Sequence, residues 1–287
     1  MKAAIIGSSG YIAEFILKRF NRETQIKSVL KIDKTDEADA CLDLSDPERF
    51  DYSILDDVDF VVFTAAISGP DLCAKEYDAC WTINVEGTCY FIREAIKRKC
   101  RVLFFSSDAV FGDVSGAIYD ENSKTEAYTP YGKMKKAVED EFKDEDNFKA
   151  IRLSYVASAK DRFVTYCLSC IRNGETADVI HPFYRNTIVV SDVVNVVVYF
   201  AFHWNEYKPR FLNVAGKELV SRVRMADELN RILDGKLKYI ISMPEEQFFT
   251  NRPKITQMRS LYLQKYGILP DETFTEKIKK EMKGIEV

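Results

Sequence analysis

What this chain has little of narrows its chemistry before any motif is read. It has only two histidines, His181 and His203, in 287 residues. Cys167 and Cys170 form the one C-x-x-C pair, with no second pair and no neighbouring histidine to complete a zinc set. A metal or redox centre is therefore not expected. Both histidines and the seven cysteines read as structural side chains, the thiols as small apolar groups in a reducing compartment. Basic charge is not in surplus either: 41 Lys and Arg stand against 45 Asp and Glu, a formal net charge of -4. No broad positive field is available for nucleic acid. The apolar stretch "VVNVVVYFAF" is too short to span a bilayer as a helix, and the N-terminus has no basic segment leading into a signal-type stretch. The expected location is the cytoplasm, with no membrane partner.

Repeats, low-complexity tracts and Pro/Gly/Ser linkers are missing too, and what recurs instead is alternation. Apolar runs "KAAIIG", "IKSVLKID", "DFVVFTAA", "RVLFFSS" and "FKAIRLS" are separated by segments of helical spacing such as "YIAEFILKRF" and "NVEGTCYFIREAIKRK". Strands that are apolar throughout, spaced by amphipathic helices, predict an α/β fold: a Rossmann-like, doubly wound parallel sheet covered on both faces. The alternation weakens near residue 155. The expected division is 1–155 as a dinucleotide-binding domain, with part of the later chain returning to it, and 156–287 as mainly a smaller substrate-binding lobe.

The chain opens "MKAAIIGSSGYIAEF", a strand that reaches Gly7, turns, and enters a helix near Gly10. Gly7 permits the tight turn and Gly10 a close backbone approach, so helix N-terminal N–H groups can face a pyrophosphate. Ala13 replaces the usual third glycine, where a methyl group is tolerated. Asp33 ends the second strand in "SVLKIDK", where a carboxylate accepts hydrogen bonds from an adenosine ribose and repels a 2′-phosphate. NAD(H) is thus preferred, with NADP(H) left open by the adjacent Lys31 and Lys34. Asp43 in "CLDLSD" follows the third strand and could reach the adenine end. The plain alternative for either carboxylate is a solvated turn.

"FFSSDAVFG" and "YTPYGKMKKAVEDEF" carry the chemistry. Tyr131 and Lys135 lie four apart on a helix starting at Pro130, so both project from one face. An ammonium beside a phenol is expected to lower the phenol's pKa and make it usable as an acid or base. Ser107, leaving the preceding strand at its C-terminal end, can hydrogen-bond the same substrate oxygen.

With "GSSGYIA", "VVFTAAISGP", "INVEGT", "YGKMK", "IRLSYV", "RNTIVVSDV" and "FLNVAG" added, the chain resembles the extended short-chain dehydrogenases/reductases almost throughout. That family includes nucleotide-sugar epimerases, dehydratases and reductases. The resemblance implies Tyr131 as acid/base, Lys135 as the group that tunes it and holds the nicotinamide ribose, and Ser107 as the group that orients the substrate carbonyl. It implies a cofactor set of Gly7, Ser9, Gly10, Tyr11, Ile12, Asp33, Asp43, Leu44, Thr64, Ala65 and Ala66, completed by Tyr131 and Lys135. Arg185 resembles an arginine that binds a nucleotide-sugar diphosphate, the alternative being an ordinary surface arginine. Family dehydratases carry an acidic residue where this chain has Ala109, which disfavours dehydration. The stretch looks most like dTDP-4-dehydrorhamnose reductases and related 4-ketoreductases, although those usually place a tyrosine at that position. An NAD-dependent epimerase and a non-catalytic dinucleotide-binding regulatory subunit are the competing readings. In the family the helices holding "INVEGTCYFIREAIKRK" and "YGKMKKAVEDEF" often pair across a homodimer, and monomers also occur.

Overall fold

A computed structural model describes residues 1–285. The described residues divide into two compact units, the first formed by 1–112, 124–152 and 194–212, the second by 113–123, 153–193 and 213–285.

The main sheet is built from β1 (Lys2–Ile6), β2 (Ser28–Asp33), β3 (Ala40–Cys41), β4 (Phe60–Phe63), β5 (Arg101–Ser107), β6 (Phe148–Leu153) and β7 (Phe211–Val214). Its strands lie in the order β7-β6-β5-β4-β1-β2-β3. Parallel pairing is set by registers such as Ala3↔Phe60, Ala3↔Val29 and Phe60↔Arg101. All five apolar runs become strands of this sheet. β4 is buried at every position and β1 at all but its first residue. Strands covered on both faces can afford such unbroken apolarity. The order reverses between β1 and β4, the switch point beyond whose C-terminal strand ends doubly wound sheets take ligands.

Helices α1 (Tyr11–Phe20), α2 (Pro70–Lys75), α3 (Tyr77–Trp81), α4 (Thr88–Lys97), α5 (Pro130–Phe142) and α6 (Val190–His203) accompany the sheet. In α1, Ala13, Ile16 and Phe20 form the buried stripe, and Ala13 is only 1% exposed. A methyl group therefore fills the third-glycine position against the sheet. Phe91 of α4, Phe63, Phe104 and Phe148 make a continuous aromatic seam, with successive centroids 5.6, 6.0 and 6.0 Å apart. The segment expected as one helix from Asn84 begins instead with a π-helical turn, Thr82–Gly87, before α4. Asn84 explains the wider turn. Its side chain is drawn inward, accepting from Ile67 N at 2.8 Å and donating to Ile67 O at 2.9 Å. Widened turns of this kind gather at functional sites.

In the second unit, Val220–Ser221, Tyr184–Arg185, Ile255–Met258 and Ile118–Tyr119 form a four-stranded sheet in that order. Helices Arg162–Asn173, Arg222–Ile232 and Phe274–Glu281 bury Val164, Leu168, Met225, Leu229 and Ile278 in a second core. Asp161 caps the first of these helices, and Thr273 with Glu276 forms a capping box on the last. Cys167 and Cys170 sit in this core, and burial pushes the Cys167 thiol up to about 12, so it is an inert apolar group at neutral pH. Among the described residues, no helix is long and apolar enough to cross a membrane and no cluster of three or more His, Cys, Asp or Glu could hold a metal ion.

Candidate active site

The glycine turn is tight for a reason visible at Gly7. Its φ is +81°, and a Cβ there would stand 2.7 Å from Ala65 N and 2.8 Å from Ala65 Cα. Any side chain is thus excluded both by conformation and by the loop that follows β4. Ala65 N and Thr64 N both donate to Ile6 O, and the Thr64 hydroxyl donates to it as well at 2.8 Å, so that loop is stitched to the end of β1. Gly10 is the N-cap of α1, where no side chain accepts from the first turn. Ser9, Gly10 and Tyr11 are exposed at this end, and Ile12 is half-buried. A helix N-terminus capped only by glycine, beside a turn that no Cβ can enter, fits the pyrophosphate of a dinucleotide.

Asp33 stands at the edge of this cradle. Its Oδ2 accepts from Ser9 N at 2.8 Å and its Oδ1 from Lys34 N at 2.7 Å. Two N–H groups use about half of the roughly four lone-pair sites of a carboxylate, which leaves acceptor capacity for ribose hydroxyls. Asp43 is exposed, and its carboxyl is held below the usual range by the Ser45 hydroxyl and Ser45 N–H. The Leu44 side chain belongs to the core, while its backbone packs against Gly87. Ala65 and Ala66 lie on the partly buried loop after β4.

At the C-terminal end of β5, Ser107 Oγ donates to Asp108 Oδ1 at 3.1 Å and accepts from Ala109 N at 3.2 Å. A hydroxyl has one proton to give, so turning it toward a carbonyl oxygen means releasing Asp108. α5 is brought against this turn by Gly132, where a Cβ would lie 2.0 Å from Ala109 O. Thr129 caps the helix by accepting from Gly132 N at 3.2 Å. Tyr131, next to Gly132, is consequently brought within electrostatic reach of Asp108, the residue after Ser107, at the C-terminal end of β5. Gly132 and Asn84 were not singled out in the sequence. Their signals were the second letter of "YGKMK" and the "N" of "INVEGT", and both act by positioning backbone.

The electrostatics correct one expectation. Lys135 does not lower the Tyr131 pKa in this structure: the phenol is pushed above its ordinary value, chiefly by burial and then by Cys73 and Asp108. Lys135 is 3% exposed, with Nζ 4.5 Å from the Phe104 ring centroid and 5.7 Å from that of Tyr131. Burial drives its own pKa down to about 7, against the pull of Glu139 and Cys73. The cation lies over ring faces in a low-dielectric pocket and is itself short of solvation. Tyr131 is thereby a neutral phenol at neutral pH.

Arg185 lies in the second unit and is 8% exposed. Its Nη1 donates to Tyr184 O at 2.6 Å and Lys254 O at 3.3 Å, its Nη2 donates to Pro253 O at 2.8 Å, and its plane lies 4.4 Å from the Phe183 centroid. A diphosphate would have to share this guanidinium with three carbonyls.

The family model for the RmlD substrate binding domain matches residues 1–286. No curated protein matches the chain significantly. Similar solved structures include dTDP-4-dehydrorhamnose reductase from Clostridium acetobutylicum, at 20% identity and TM-score 0.82 over 98% of both chains. The Bacillus anthracis dTDP-4-dehydrorhamnose reductase, in complex with NADP, is 18% identical with TM-score 0.83 over 99% of both chains. A UDP-glucuronic acid 4-epimerase variant from Bacillus cereus, in complex with a UDP-sugar and NAD, is 17% identical with TM-score 0.79 over 98% of both. At these identities the structures establish a shared fold, and the family match extends over nearly the full length. This chain belongs to the RmlD substrate-binding-domain family.

Proposed function

We propose that the protein is a nicotinamide-dinucleotide-dependent oxidoreductase that reduces a keto group on a nucleotide-sugar, in the manner of dTDP-4-dehydrorhamnose reductases. The observation that supports this reading is that Gly132 seats α5 against Ala109, bringing Tyr131 near Asp108 and the turn after β5, while Gly7 and the N-terminus of α1 stand at the C-terminal end of β1 in the same parallel sheet. Residues 7–12, Asp33 and the 64–66 loop would hold the dinucleotide, Asp33 favouring NAD(H). When bound, the dinucleotide would supply the hydride for reduction at a carbonyl carbon. Tyr131 gives its proton to the carbonyl oxygen, and Ser107, released from Asp108, hydrogen-bonds that oxygen. A phenol kept neutral by its surroundings is the form such protonation needs. Lys135, when charged, stabilises the phenolate left behind and binds ribose hydroxyls. The second unit would carry the sugar-nucleotide site, with Arg185 toward the diphosphate.

The structural likeness to the UDP-glucuronic acid 4-epimerase keeps oxidation and return at the same carbon as the second reading. NADH oxidation followed by absorbance against a panel of nucleotide-linked keto-sugars tests the proposal. Turnover that falls by about 10²–10⁴-fold in Tyr131→Phe, with NADH affinity retained, is the expected result. Cofactor-neutral interconversion of sugars would support the epimerase instead. Undiminished turnover in Tyr131→Phe would remove that phenol from the chemistry.

A further inference from the structure

Burial opposes the positive charge of Lys135, a member of the candidate catalytic set. It is 3% exposed and packed against Phe104 and Tyr131 rather than against water. Burial opposes the ammonium form, bringing the Lys135 pKa down to about 7. The groups that face it are few. Tyr131 is on its own helix, Phe104 is on β5, and the Cys73 thiol of α2 is pushed up to about 12 and so is uncharged at neutral pH. Asp108 acts on Tyr131.

The remaining group is Glu139, four residues along α5 and therefore on the same helical line as Lys135 and Tyr131. It is 2% exposed, and Arg152 of β6 grips it: Nε donates at 3.0 and 3.2 Å and Nη2 at 2.7 Å. The Arg152 guanidinium is in turn fixed 5.2 Å from the Phe111 centroid and 4.4 Å from that of Phe211. A buried ion pair contributes little net stability compared with apolar residues of similar volume. Glu139 is also the strongest influence favouring the charged form of Lys135.

We propose that Glu139, locked in place by Arg152, is a positioning residue that supplies the counter-charge for the Lys135 ammonium beside Tyr131. Its catalytic meaning rests on the proposed function, but the charge on Lys135 is measurable without turnover. Protein carrying lysine labelled with ¹³C at Cε is titrated by NMR, and the Lys135 resonance is assigned as the one missing from Lys135→Met. In Glu139→Gln the Lys135 midpoint should fall by about one unit or more.

That substitution leaves Arg152 buried and unpaired, so a double variant, E139M/R152M, removes both charges and keeps the volume. The double variant should recover thermal stability lost by Glu139→Gln while its Lys135 midpoint stays below that of the wild type. A purely structural ion pair predicts recovery of both. An unchanged Lys135 midpoint in the double variant overturns the proposal, and where Glu139→Gln does not fold, the double variant alone decides. Should the wild type turn over no keto-sugar, the proposed function fails while this titration still reads the counter-charge.

Discussion

Gly132→Ala isolates how finely the catalytic helix is seated. The added Cβ would lie 2.0 Å from Ala109 O and 2.9 Å from Ala109 C. Carbon and oxygen atoms approach to about 3.3 Å at closest, so the two segments must part by about 1.3 Å. Neither can yield cheaply. Ala109 belongs to a turn held by the Ser107 hydroxyl, and α5 is anchored behind Gly132 by Met134, Val138 and Phe142 in the core. Overpacking of this kind costs about 1–3 kcal/mol, which corresponds to a melting temperature lower by roughly 2–10 °C for a chain of this size. The displacement falls on Tyr131, the next residue, and a misplacement of about 1 Å at a reacting group costs about 100-fold in rate. Thermal melts and the keto-sugar assay on Gly132→Ala are compared with Gly69→Ala, whose Cβ would meet only Leu72 Cβ at an ordinary 3.5 Å. If Gly132→Ala keeps both the melting temperature and the turnover of the wild type, the close approach of α5 is not what seats Tyr131.

Asp33→Ala should weaken NADH binding about 10- to 100-fold, the range for a hydrogen bond to a charged group, and narrow any preference over NADPH. Fluorescence titration of both cofactors checks this, and a wild type that already prefers NADPH refutes the ribose assignment. Lys135 gives a pH-dependent stability of defined sign. Its folded pKa of about 7 lies below the ordinary 10.5, so between those values the unfolded chain binds more protons and stability rises with pH. Lys135→Met should therefore be more stable than the wild type near pH 7 by up to a few kcal/mol, the gap closing toward pH 10.5. Denaturant melts across that range that show a constant gap would count against burial of an ionisable amine at this site. Ser107→Ala should lower turnover while leaving NADH affinity intact, because Ser107 lies at the end of β5, whereas the glycine turn follows β1. Loss of cofactor affinity, measured by the same fluorescence titration, would reassign it.

Much of the sheet was legible because its strands are buried on both faces, and only uninterrupted apolar runs such as "FVVF" survive there. α1 was legible from the spacing of Ala13, Ile16 and Phe20. The π turn before α4 was not, since it depends on Asn84 finding Ile67, a residue 17 positions away.

Local pattern by itself determined the strand-and-helix alternation, the glycine turn and the placing of Tyr131 and Lys135 on one helical face, because each depends on residues within a few positions of one another. Which charges those two side chains carry was decided only by the tertiary structure. Burial against Phe104, the proximity of Cys73 and Asp108, and the Glu139 carboxylate held by Arg152 arise from segments far apart in sequence. A pKa responds to the dielectric and the charges around a group, and neither exists until the chain has folded around it.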